Sequence, residues 1–185
     1  FDGKGFTLSN LNSTETAQKA DGYICTGLFG AIYGNAVVKN LTIENVNIEA
    51  EYAGNNVAAV VGLAYTIANK TATIENVTVK GNISINAPKA YAVGTIVGYS
   101  YEPGNINITD CVVAANDGSS ITAVSGSGAI IGHAAGIVTL EGCSVNNIDI
   151  TAKGLVGGLA GFVSSSKSVL DNNTVWWEGL NDNAP

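Results

Sequence analysis

Apolar and polar residues alternate one for one through many short stretches of this chain. In Leu41-Thr42-Ile43-Glu44 the leucine and isoleucine point one way, and the threonine and glutamate the other. A period of two is the mark of a half-buried strand. These strands have fixed companions: a glycine-bracketed apolar run, Gly27-Leu28-Phe29-Gly30, and a Gly34-Asn35 turn precede this one, and variants recur downstream. The glycine closing each apolar run falls at Gly30, Gly62, Gly98, Gly132 and Gly161, in steps of 32, 36, 34 and 29 residues. A second landmark, the inward residue of the alternating strand, falls at Leu8, Ile43, Ile74, Ile108, Leu140 and Leu170. Periods of roughly 20 to 50 residues signal stacked architectures, because one unit cannot bury its apolar face alone.

The pattern therefore predicts an all-β fold: a single-stranded parallel β-helix, or β-solenoid, of about six coils, the first incomplete. Coils sit ~4.8 Å apart, so like residues stack on like. The whole of 1–185 reads as one domain. The polar stretch 12–21 reads as a loop insertion with one helical turn over Glu15 to Lys19, and 176–185 as a C-terminal cap or tail. Trp176-Trp177 are expected to lie across the end of the stack, where an open last coil would expose core and strand edge. The opening Phe1-Asp2-Gly3-Lys4-Gly5 reads as the middle of a repeat, so further domains of the same polypeptide are expected.

Stacking in this register makes columns of like residues. Asn10, Asn45, Asn76, Asp110, Gly142 and Asn172 form a corner, all residue types that tolerate left-handed backbone. Cys111 and Cys143 share a column with Leu11, Val46 and Val77 as small buried apolar residues. The apolar run supplies two neighbouring columns: Leu28, Val60, Ile96, Ile130 and Leu159, then Phe29, Val61, Val97, Ile131 and Ala160. Successive strand residues face opposite ways. One of these columns is therefore either bare or covered, by a loop or by a bend in the coil, and large bare apolar patches are uncommon.

Composition narrows the partners. The chain is 46% hydrophobic and only 12% charged, against a usual share of roughly 25%. All eight basic residues are lysine, and the net charge is −7. No basic stripe exists to neutralise phosphates, so nucleic acid is not an expected partner. No apolar run of ~18 residues exists, so no membrane insertion is expected. Three cysteines without metal spacing give no cofactor site, and no cofactor is expected.

Gly27-Leu28-Phe29-Gly30, followed by Val38-Lys39-Asn40-Leu41-Thr42-Ile43-Glu44-Asn45-Val46, closely resembles the GLUG motif. The opening Phe1 to Leu11 is similar to the lead-in of such repeats. The likeness extends to about Val175, looser in later coils, where Gly-Leu-Phe-Gly becomes Val-Val-Gly or Ile-Ile-Gly. GLUG-type repeats occur in large secreted bacterial surface proteins, adhesin-like ones among them. The resemblance implies a right-handed helix in an exported bacterial protein, extracellular or at the cell surface, and it carries no catalytic residues to transfer.

Two candidate surfaces follow. Tyr33, Tyr65 and Tyr101 align between coils, beside a second aromatic row of Tyr99, His133 and Phe162. Such rows suit sugar rings or a host surface protein, since each ring pairs apolar contact with a polar tip. His133 has no partner motif for a catalytic triad and reads as a stacking residue. The other surface is an acidic row, Glu44, Glu75, Glu141 and Asp171, in which stacking would place Glu44 near Glu75 and Glu141 near Asp171. Paired carboxylates could serve a polysaccharide lyase or hydrolase. The missing arginine and the lack of a convergent acid–base pair weigh against that alternative. The sequence thus favours a non-catalytic, adhesin-like module that binds glycan or host protein along a strand face.

Overall fold

A computed structural model of the chain describes residues 1–15, 24–52 and 54–176. Among these the structure is all-β, a parallel solenoid of about five turns. The six landmarks of the sequence include a first pass that supplies only the strand Thr7–Thr14 and the isolated Asp2 bridge. No helix of the described residues is long and apolar enough to cross a membrane.

Three parallel sheets build the coil. The largest contains Val37–Glu49 and Thr71–Asn86, which run unbroken around two corners. Later coils divide this path into shorter pieces, such as Asn105–Thr109, Val112–Ala115 and Ser120–Ala123. The second sheet stacks short strands: Cys25–Thr26, Asn56–Val57, Ala92–Gly94, Gly126–Gly128 and Val156–Gly157. The third stacks Phe29–Tyr33, Val61–Tyr65, Val97–Ser100, Ile131–Ala134 and Ala160–Val163.

The register corrects one expected column. Leu8 stacks on Ile43, but Ile43 stacks on Val79 rather than Ile74, and Ile74 sits on Val38. The cause is a repeat within the repeat. Val38-Lys39-Asn40-Leu41 and Ile43-Glu44-Asn45-Val46 both read apolar–charged–Asn–apolar, five residues apart. Pairing the first with Ile74-Glu75-Asn76-Val77 aligns the whole of 37–49 with 73–86 and leaves only one bulge, between Glu44 and Val46. The true columns are Val38, Ile74, Ile108, Leu140 and Leu170, and alongside it Leu8, Ile43, Val79, Val113, Val145 and Val175.

The expected corner column accordingly divides between two corners. Asn76, Asp110, Gly142 and Asn172 line up with Asn40, whereas Asn10 and Asn45 form the next corner with Gly81. All six residues have φ between +50° and +64°, the left-handed backbone that their type tolerates. Cys111 and Cys143 are buried free thiols, as small apolar residues would be, and share their column with Leu41 and Val77. Leu11 and Val46 belong one corner further on, with Ile83.

Inside, isoleucine, valine and leucine of successive coils stack with side chains wholly out of water, among them Ile43, Ile74, Ile108 and Leu140. Each such side chain contributes about 1.5–3 kcal/mol through burial. At the ends the same columns are open: Leu8 is 38% exposed and Leu170 46%.

Both columns of the apolar run are buried in the middle coils and part-buried at Leu28, Phe29, Leu159 and Ala160. Val60 and Val61, Ile96 and Val97, and Ile130 and Ile131 are all fully enclosed. The chain bends at residues 59–60, 95–96 and 129–130, between the second and third sheets, and the consecutive residues flanking each bend are enclosed together. The glycine column sits just beyond this bend. A Cβ on Gly62 would lie 2.8 Å from the Gly30 carbonyl oxygen and 2.9 Å from that of Asn56. The second and third sheets therefore meet backbone to backbone there, with no room for a side chain.

The stretch expected as a loop at 12–21 begins as strand. Asn12, Ser13 and Thr14 pair with Asn47, Ile48 and Glu49, and the Asn47 Nδ2 donates to Asn12 Oδ1 at 3.1 Å. The expected helical turn falls, but for Glu15, outside the described residues. Trp176 does not leave the repeat: Thr174–Trp176 is a strand in which Trp176 pairs with Asn146. Trp177 and the rest of the tail lie outside the described residues.

Candidate functional site

The bend that buries both apolar columns also sets which residues of the third sheet face outward. They are the column Ala31, Leu63, Tyr99, His133 and Phe162, in which Leu63 is covered over and buried, and, two residues on, Tyr33, Tyr65 and Tyr101. Parallel in-register pairing brings Tyr33 over Tyr65, with ring centroids 5.6 Å apart and planes 12° from parallel. Tyr65 and Tyr101 stack likewise at 4.9 Å and 18°. Tyr99, on the same strand face as Tyr101, continues the contact at 6.1 Å. His133 follows at 5.0 Å from Tyr99, and Phe162 at 4.6 Å from His133.

All six residues singled out from the sequence thus touch in one strip that crosses every coil of the third sheet. A seventh ring was not legible in the sequence. Tyr91 lies 6.0 Å from Tyr99 and 5.2 Å from His133, and is 43% exposed. It reaches across from the lead-in to the second sheet, where its backbone pairs with Asn55 and Gly126. No aromatic residue shares its column, so a search for aligned aromatics passes over it.

The strip is amphipathic. Tyr33 is 64% exposed at its start, whereas Tyr65, Tyr99, Tyr101, His133 and Phe162 are half-buried. Within the tyrosine ladder each ring covers its neighbour's face, which leaves ring edges as the ladder's outer surface. Burial lowers the His133 pKa below its ordinary value, which keeps the imidazole neutral at pH 7. No member of the strip then carries a charge.

The acidic row is broken by the true register. Glu44 lies between Ser9 and Lys80, and its carboxylate pairs with the Lys80 ammonium at 3.4 Å, both groups well exposed. Glu75 lies between Lys39 and Thr109. Glu44 and Glu75 therefore do not meet. Glu141 and Asp171 do pair, beside an open groove of about 430 Å³ lined by Thr109, Asp110, Gly142 and Asn172. Among the described residues, no group of three or more His, Cys, Asp or Glu side chains is placed to hold a metal ion.

A second open groove, about 400 Å³, follows the other corner around Asn10, Asn12, Asn45 and Asn47. Its amides bond one another along the stack: Asn45 Nδ2 donates to Asn10 Oδ1 at 3.3 Å, and Asn47 Nδ2 to Asn12 Oδ1 at 3.1 Å. Such a ladder holds coils in register. Comparison with family models, with curated proteins and with solved structures finds no match to this chain.

Proposed function

We propose that this chain is a non-catalytic, adhesin-like module of an exported or cell-surface bacterial protein, and that it binds carbohydrate along the outer face of its third sheet. The observation that carries this reading is the aromatic strip. Seven partly exposed ring side chains touch one another across successive coils, uncharged and backed by a rigid sheet. Rings with polar tips on a fixed scaffold suit ligands that are both apolar and rich in hydroxyls. The exported location rests on the resemblance of Gly27 to Val46 to GLUG repeats. The enzymatic alternative has less support, since only Glu141 and Asp171 of its acidic row stand together.

A glycan array tests the reading. The expected result is binding without turnover by the unaltered chain, and loss of the signal in a Tyr33→Ala/Tyr65→Ala double variant that keeps its β-sheet circular dichroism. Equal binding by that variant, or release of sugar from a bound polysaccharide, would overturn it. Retention of a host surface protein but of no glycan would reassign the strip to a protein partner.

A further inference from the structure

Resting on the carbohydrate reading above, the geometry points to an uncharged, extended β-1,4-linked glycan as the occupant of the strip, lying parallel to the solenoid axis with one sugar ring per coil. The first argument is period. Tyr33, Tyr65 and Tyr101 repeat at 5.6 and 4.9 Å, the spacing imposed by stacked coils about 4.8 Å apart. An extended β-1,4-linked chain advances by nearly the same distance per ring, so it can hold register over several coils. An α-1,4-linked chain curls and leaves that register after a ring or two.

The second argument is which atoms are offered. Tyrosine faces inside the ladder are taken by each other, so sugars cannot stack flat on them. What recurs once per coil is a ring edge, joined at Tyr33 and Tyr65 by a phenol hydroxyl, and these suit the equatorial hydroxyls along one side of such a chain. The third argument is charge. The strip is neutral, and the chain carries no arginine and a net charge of −7, so a polyanionic glycan would approach uncharged rings on an acidic protein. The strip runs up Tyr33, Tyr65 and Tyr101, steps two residues aside to Tyr99 and continues through His133 and Phe162; it crosses five coils of the third sheet, which bounds the length of chain it can engage at about five sugars.

Calorimetric titration with the series cellobiose to cellohexaose, and with the corresponding N-acetylglucosamine series, tests this. Maltohexaose and hexagalacturonate serve as controls. Affinity is expected to climb with each added sugar and level off near the pentamer, in whichever series matches the ring substituent. Tyr65→Phe, which keeps the ring and removes the hydroxyl, is expected to weaken hexamer binding by about tenfold. Tyrosine-dependent binding of maltohexaose or hexagalacturonate as tight as that of the β-1,4 hexamers would overturn the linkage or charge assignment while leaving the carbohydrate reading intact. Affinity independent of length from the dimer upward would overturn the axial arrangement. Failure of both β-1,4 series to bind overturns this inference, and the glycan array then decides separately whether the strip binds carbohydrate.

Discussion

Gly98 occupies the middle of the glycine column, and its replacement by alanine isolates what that column does. A Cβ there would stand 2.6 Å from the Gly62 carbonyl oxygen, 2.7 Å from the Val57 amide nitrogen and 2.9 Å from the Val57 carbonyl oxygen. All three are backbone atoms, pinned by sheet pairing on both sides, so no side chain can swing away. Overpacking usually costs about 1–3 kcal/mol, and a site whose neighbours cannot yield belongs at the top of that range, about 3 kcal/mol. For a chain of this size that loss lowers Tm by roughly 6–12 °C. Gly118→Ala is the control. Gly118 has φ +80° and open space around it, so its cost is conformational only, about 1–2 kcal/mol. Urea unfolding followed by circular dichroism gives both values, provided the slope is unchanged. If Gly98→Ala proves no more destabilising than Gly118→Ala, close packing of the two sheets is not why glycine stands there.

At the Asn corner, Asn76 combines φ +50° with an amide bond in which its Nδ2 donates to Asn40 Oδ1 at 2.9 Å. Asn76→Ala is expected to cost about 1–2 kcal/mol, with Asn76→Gly recovering most of it; equal losses in the two variants would contradict a backbone origin. Burial depresses the His133 pKa in the folded state, so the unfolded chain binds more protons near pH 6 and stability should rise with pH there. That increment is complete above the ordinary histidine value of about 6.5 and is lost as pH falls from it toward the folded pKa. An NMR titration placing the His133 midpoint above 6.5 would reverse the sign. Desolvation also raises the Cys25 thiol pKa, yet Cys25 is only half-buried, whereas Cys111 and Cys143 are enclosed. A thiol reagent should therefore modify Cys25 first and the other two only on unfolding, with mass spectrometry of the alkylated peptides as the check.

Much of the fold was legible because its signals are local and repeated. Alternation gave the strands, the recurring glycine gave the coil length, and a stack follows once no single coil can hide its apolar face. Register was harder, because the second coil contains the apolar–charged–Asn–apolar pattern twice, at Val38–Leu41 and at Ile43–Val46. The steps between landmarks held the answer. Along the true column from Leu8 they are 35, 36, 34, 32 and 30 residues, a smooth drift, whereas the column through Ile43 and Ile74 needs an abrupt 31 after 35. A bend before the third sheet was one of two coverings the sequence allowed, but nothing in Ala59-Val60-Val61 distinguishes a bent apolar run from one covered by a loop. Its consequence, burial of both columns, depends on two sheets meeting at the glycines.

The register decides more than bookkeeping, because it affects the two candidate surfaces differently. The acidic row was assembled across the ambiguous pattern, so correcting it by one corner replaces Glu75 with Lys80 beside Glu44 and turns a carboxylate pair into an exposed ion pair. An exposed pair of that kind contributes about 0–1 kcal/mol and leaves no second carboxylate beside Glu44 to share acid–base work. The aromatic strip was assembled on the third sheet, where the glycine column fixes register coil by coil and the pattern occurs once. Its rows therefore survive intact, from Tyr33 on Tyr65 to His133 on Phe162. The feature that makes the sheet rigid is thus also what aligns the rings. Gly98→Ala should consequently loosen ligand binding at Tyr99 and Tyr101 even where the variant remains folded, and unchanged affinity in a folded variant would separate the scaffold from the site.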